Sequence, residues 1–155
     1  MTEFRGRRDG GGRRFCIVVS QFNVMVTERL LAGAREELLG NGVTSDDIDV
    51  IHVPGAWELT PGVRSATRGR YAGILALGCV VRGQTSHFEY ICLSVTEGLT
   101  HLQLSQDIPI AFGLITAEDL PQAFERAGGS VGNLGSQAAL AALEMSDLTR
   151  QLEAG

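Results

Sequence analysis

GILALGCVVRGQTSHFEYICLSV, residues 73–95, passes from an uninterrupted apolar run into a Gly-centred turn and then directly into a helical pattern. The run from Gly73 to Val81 reads as a strand buried on both faces, the central strand of a parallel sheet. Beyond the turn, Phe88, Ile91, Cys92, Val95, Leu99 and Leu102 recur at i, i+3/i+4 spacing, the stripe of a helix that packs on that sheet. Ser86 and Glu89 stand between the two at capping-box spacing, which predicts His87 as the first helical residue. The free N–H groups and positive dipole end of such a helix favour phosphate or carboxylate, and Gly83 lets the backbone approach such a group closely. One junction therefore offers an anion cradle beside an imidazole able to carry a proton.

The same alternation extends in both directions from this junction. FCIVVS at 15–20 is a buried strand, followed by Val26, Leu30, Ala34 and Leu38 at helical spacing until Gly40 and Gly42 stop the helix. IDVIHV at 48–53 is a second strand, and a helix is predicted from Trp57 to about Arg68, with Pro61 tolerable in its first turn. PIAFGLIT at 109–116 supplies a fourth strand. Thr116 and Asp119 stand at capping spacing before a short helix ending near Ala127. A loop, GGSVGN, precedes a last helix with Ala138, Ala141, Ala142, Met145 and Leu148 on one face. Strands alternating with helices predict the α/β class: a three-layer α/β/α sandwich with a four-stranded parallel sheet, flavodoxin-like. Residues 15–155 read as a single domain and residues 1–14 as a flexible Arg/Gly-rich N-terminal arm.

Composition narrows the function classes. A chain of 155 residues that is 44% hydrophobic suits one core. Its net charge is −5, with five arginines against Glu3 and Asp9 in residues 1–14 giving +3 there and −8 for the rest. An acidic body is not built for nucleic acid. No apolar run is long enough to span a bilayer, and no apolar segment of a signal peptide precedes Phe15, so the expected compartment is the cytoplasm, without membrane association. Cys16, Cys79 and Cys92 fall in apolar runs and read as free buried thiols. No spacing suggests a metal site, and no cofactor is expected. All thirteen Lys+Arg residues are arginine. Without lysine, no side-chain amine can form a Schiff base, so any imine chemistry must take its nitrogen from a substrate.

Open sheets of this kind bind ligands outside the carboxyl ends of their strands, where the strand order reverses. Here those ends carry Gln21, Phe22 and Asn23 after the first strand, and Pro54 through Glu58 after the second. The third ends in the Gly83–His87 junction and the fourth at Thr116, with Phe112 just inside it.

SQFN at 20–23, PGAWELT at 54–60, LGCVVRGQTSHFEYIC at 77–92, PIAFGLIT at 109–116 and FERAG…GNLG…AALAALEM at 124–145 resemble the 6,7-dimethyl-8-ribityllumazine synthase family, in order and over nearly the whole chain from Phe15. The resemblance implies condensation of 5-amino-6-ribitylaminouracil with 3,4-dihydroxy-2-butanone 4-phosphate, releasing phosphate and water, in riboflavin biosynthesis. The imine nitrogen there is the uracil's own amino group, which suits a chain without lysine.

By position, the resemblance implies that Phe22 stacks on the pyrimidine, that Ala56, Trp57 and Glu58 hold the ribityl chain, and that the backbone of Cys79, Val80 and Val81 meets the uracil edge. It implies that Gln84, Thr85 and Arg126 hold phosphate, that Phe112 lies near the butanone phosphate, and that His87 transfers protons. Phe112 and Arg126 would come from an adjacent subunit of a homo-oligomer, a pentamer or a 60-subunit shell of twelve pentamers. One departure is Leu134, where such sequences commonly have lysine near the phosphate. Three other readings stand beside this one: a riboflavin synthase of the related archaeal type, a shell protein binding lumazine or flavin without turnover, and a generic flavodoxin-like binding module.

Overall fold

The apolar runs form parallel strands because each must bury both faces, and the helical stripes between them cover those faces. The computed structural model describes residues 1–155. Its elements are β1 (Phe15–Ser20), α1 (Val24–Gly40), β2 (Ile48–Val53), α2 (Leu59–Ala66), β3 (Gly73–Val81), α3 (His87–Ser105), β4 (Ile110–Ala117), α4 (Leu120–Glu125), β5 (Ala127–Gly129), β6 (Gly132–Asn133) and α5 (Leu134–Ala154). The main sheet is parallel, in the order β2-β1-β3-β4. The chain moves from β1 outward to β2 and then returns to the other side of β1, so the order reverses between β1 and β3.

Side chains of β1 alternate between two cores. Phe15, Ile17 and Val19 pack with Leu30, Ala34 and Leu38 of α1 and with Ala138, Ala142 and Leu143 of α5. Cys16 and Val18 pack on the opposite face with Leu59 and Val63 of α2 and Val95, Leu99 and Leu102 of α3. Each fully buried leucine or isoleucine here stabilises the fold by about 2 kcal/mol relative to exposure. Three layers follow directly: α1 and α5, the sheet, α2 and α3. Ser20 ends β1 with its Oγ buried and without a hydrogen-bond partner.

Four local expectations are corrected. The predicted helix from Trp57 is a 3-10 turn over Ala56–Glu58 followed by α2, and it ends at Ala66 rather than near Arg68. The cap of α4 is Asp119, whose side chain accepts from the Gln122 N–H at 2.9 Å; Thr116 is still inside β4. The GGSVGN segment carries part of a small antiparallel hairpin, β5–β6, made possible by Gly128 and Gly132 at φ 100° and 109°. Strands this short leave no periodic signal. On α5, Ala141 and Met145 are exposed, whereas Ala138, Ala139, Ala142 and Leu143 face the core, a rotation that the alanine-rich sequence could not resolve.

The arm runs along α5. Asp147 accepts the Arg7 backbone N–H at 2.9 Å, Arg8 Nε meets Glu144 at 2.6 Å, and Gln151 donates to the Arg5 carbonyl at 2.9 Å. Gly6 sits so close to the Glu144 carbonyl that no side chain would fit.

Candidate active site

At the reversal point between β1 and β3, beyond the carboxyl ends of the strands, lies a cavity of about 320 Å³. The segment after β1 contributes Phe22 and Asn23. The 3-10 turn after β2 contributes Ala56, Trp57 and Glu58, and the end of β3 contributes Cys79, Val80 and Val81. Gly83, Thr85, His87, Phe88 and Ile91 close the remaining side. Phe22 and Trp57 leave 71% and 59% of their surface exposed, an unusual cost for two large aromatics unless a ring covers them.

Local chain geometry explains this placement. Asn23 adopts the left-handed conformation at φ 60°, which asparagine tolerates better than most residues, and its side-chain amide donates to the Cys79 carbonyl at 3.0 Å. That bond ties the exit of β1 to the end of β3 and leaves Phe22 projecting between them. The Cys79 side chain packs in the α1/α5 core, which leaves the backbone of that residue to the cavity. Burial pushes the Cys16 and Cys79 thiols up to about 11 and raises that of Cys92, so none is a thiolate nucleophile at neutral pH.

His87 begins α3, as the spacing predicts, but the capping box does not form. Ser86 already has helical dihedrals (φ −69°, ψ −2°), which turns its side chain away from the capping geometry. Thr85 acts in its place, its Oγ1 accepting the His87 N–H at 3.3 Å. The Glu89 carboxylate is drawn instead to Arg82 at 3.1 Å, a charge-assisted bond stronger than one to a neutral amide. A Cβ on Gly83 would meet nothing within 4 Å, so packing inside the chain does not demand glycine there. The open space is what close approach of an anion requires. The imidazole of His87 and the carboxylate of Glu58 make no hydrogen bond or ion pair within the chain; no group of three or more His, Cys, Asp or Glu is placed to hold a metal ion.

Nine of the twelve residues singled out from the sequence thus line one cavity; the other three do not. Gln84 is exposed on the turn outside it. Phe112, 46% exposed, lines a separate groove of about 630 Å³ between α3 and α5. Arg126 caps α4, its guanidinium donating to the Gln122 carbonyl at 3.2 Å. Asn23, Gly55, Phe88 and Ile91 also line the cavity, and sequence reasoning gave none of them a role of its own in the site. An asparagine immediately before a helix that follows a buried strand is a usable signal for a left-handed residue.

Residues 12–150 match the pattern of the family described as 6,7-dimethyl-8-ribityllumazine synthase. This chain belongs to that family. Similar proteins bearing the lumazine synthase name include one from Lactiplantibacillus plantarum, 44% identical over 153 residues that span 98% of this chain and 96% of the other. Another, from Pediococcus pentosaceus, is 43% identical over 155 residues, 99% of each chain. Similarity to the lumazine synthase family over nearly full length covers every segment that builds the cavity.

Proposed function

We infer that this chain is a transferase of riboflavin biosynthesis. It condenses 5-amino-6-ribitylaminouracil with 3,4-dihydroxy-2-butanone 4-phosphate to give 6,7-dimethyl-8-ribityllumazine, phosphate and water. The observation that carries the reading is the single cavity at the β1/β3 reversal point, in which an exposed aromatic, an unpaired carboxylate and an unpaired imidazole converge. Neither the archaeal-type riboflavin synthase nor the non-catalytic shell finds support in a family match or a relative.

Phe22 stacks on the pyrimidine ring, and the backbone of Cys79, Val80 and Val81 reads its edge. Ala56, Trp57 and Glu58 hold the ribityl chain, with the carboxylate accepting hydroxyl hydrogen bonds. Thr85 and Gln84 carry the phosphate over the start of α3, where free N–H groups favour an anion. His87 then removes and returns protons as phosphate leaves and the ring closes. The imine forms from the substrate amine, since the chain has no lysine to form it. Placement of two reactants can contribute about 7–11 kcal/mol, more than the roughly 10²- to 10⁴-fold typical of proton transfer.

Arg126 and Phe112 complete this cavity from a neighbouring copy, since within one chain they lie away from it. Membership of the family supports a homopentamer, with a 60-subunit shell as its larger form. Leu134 leaves the phosphate held by Arg126 and the turn without a second side-chain cation. The enzyme acts in the cytoplasm, a reducing compartment in keeping with its three free cysteines. No helix is long and apolar enough to cross a membrane. Mixing purified protein with both substrates and following lumazine absorbance against an uncatalysed blank tests the reading. A rate equal to the blank overturns it. Native mass measurement tests the assembly, and a monomer overturns that part.

A further inference from the structure

Arg82 follows the last residue of β3, immediately before the turn that leads to His87. Its backbone N–H donates to the Ala117 carbonyl at 2.8 Å, which fixes its Cα against the end of β4. Its guanidinium has two hydrogen-bonded partners and one stacked ring. Nε donates to Glu118 Oε2 at 2.8 Å, Nη1 donates to Glu89 Oε1 at 3.1 Å, and the plane lies over the Phe88 ring at 4.6 Å from the centroid. One side chain thereby ties the exit of β4 to the first turn of α3 across the base of the Gly83–Ser86 turn. Phe88, on which it stacks, and His87, the next residue toward the turn, both line the cavity.

We propose that Arg82 is a positioning residue for the reaction: by bridging Glu118 and Glu89 and stacking on Phe88, it sets the Gly83–Ser86 turn and His87 against the cavity without itself binding phosphate. This rests on the function proposed above. A direct role in holding phosphate is disfavoured by charge. Arg82, Glu89 and Glu118 together carry −1, so the group repels a phosphate dianion rather than attracting it. A phosphate approaching the unbonded Nη2 would still lie near the two carboxylates that Nε and Nη1 hold. The forked guanidinium is essential to the bridge, because a lysine ammonium, a point charge without that planar fork, would not reproduce it. All three side chains are substantially exposed, so the bridge contributes little to global stability and its effect falls on the turn.

The test is steady-state kinetics of Arg82→Ala, Arg82→Lys and the double variant Glu89→Gln/Glu118→Gln, with each substrate varied independently. Hydrogen exchange over residues 83–90 is measured alongside, without substrate. Arg82→Ala is expected to raise KM for the butanone phosphate about 10- to 100-fold, the scale of losing correct placement. KM for the ribitylaminouracil changes by less than about twofold in the same variant, because Phe22, Trp57 and Glu58 are untouched. Arg82→Lys recovers little of the loss. The double variant also raises KM for the phosphate substrate, because the bridge loses its charge-assisted bonds while the cation stays. A fall in that KM would show the freed guanidinium binding phosphate and would overturn the proposal, as would an unchanged KM in Arg82→Ala. Exchange over 83–90 quickens in Arg82→Ala while β3 stays protected; unchanged exchange also overturns it. Because exchange is read without turnover, it reports on the bridge even if the wild-type protein makes no lumazine, a result that would sink the proposed function alone.

Discussion

The two ends of the parallel sheet use the same kinds of side chain in opposite ways. At the amino end, Tyr71 donates to Asp49 at 2.6 Å, Arg14 donates to the same carboxylate at 2.7 Å, and the Arg14 guanidinium lies 5.4 Å from the centre of the Tyr71 ring. The hydrogen bond to Asp49, together with burial, pushes the Tyr71 hydroxyl up to about 12. An aromatic, a carboxylate and a cation there satisfy one another. At the carboxyl end, Phe22 and Trp57 are exposed, and neither the Glu58 carboxylate nor the His87 imidazole has a partner in the chain. Groups that bind one another hold a fold together, whereas groups left without partners remain available to a ligand.

The sharpest way to break this contrast is at His87. His87→Ala is expected to lower kcat by about 10²-fold or more while leaving thermal stability unchanged, since the side chain is exposed and unbonded. An unchanged kcat in steady-state assays would remove it from the chemistry. Next in size is Asn23, where the two roles overlap. Asn23→Ala loses the bond to Cys79 and places a residue that resists φ 60° there, costing about 1–2 kcal/mol in denaturant unfolding. Asn23→Gly restores the backbone part of that loss and not the bond, and equal losses in the two variants would refute the conformational account.

At the amino end the expected effects are smaller and spare turnover. Asp49→Ala should cost about 1 kcal/mol, discounted for its exposure, and lower the thermal midpoint by about 2–4 °C, with kcat and KM intact. A kinetic defect in that variant would mean that the two ends communicate. On α5, the Arg7 backbone N–H, with the side chains of Gln151 and Arg150, holds the Asp147 carboxyl down at about 2, below its ordinary 3.8. A carboxyl so lowered contributes stability that is complete above about pH 4 and fades as pH falls toward 2. Thermal midpoints across that range should drop less steeply in Asp147→Asn than in the parent, and parallel curves would exclude the contribution.

Sequence alone carried the architecture because its signals are periodic. The bounds of β1, β2 and β3 and the first residue of α3 follow from apolar runs and helical stripes as found. Where pattern ran out, errors followed. Alanine at 138, 139, 141 and 142 permits either face of α5 to turn inward, and a hairpin of three plus two residues has no period to detect. The capping box failed for another reason: a competing cation 7 residues away captured Glu89, and no local rule anticipates that. Most of the cavity lining was legible because it clusters at strand ends, while the outward turn of Gln84 depends on local packing that a linear pattern does not encode.

At the end of β1, Ser20 holds a hydroxyl in the company of Leu59, Gly78 and Leu114, shut away from water and offered no acceptor. Such a group is a standing penalty, of the order of 1–3 kcal/mol in folded proteins. Ser20→Ala would relieve it with almost no change in shape, and is expected to raise the melting temperature without altering turnover. Heat tolerance in this scaffold can therefore be raised from within, by deleting a single oxygen atom, at no cost to its chemistry.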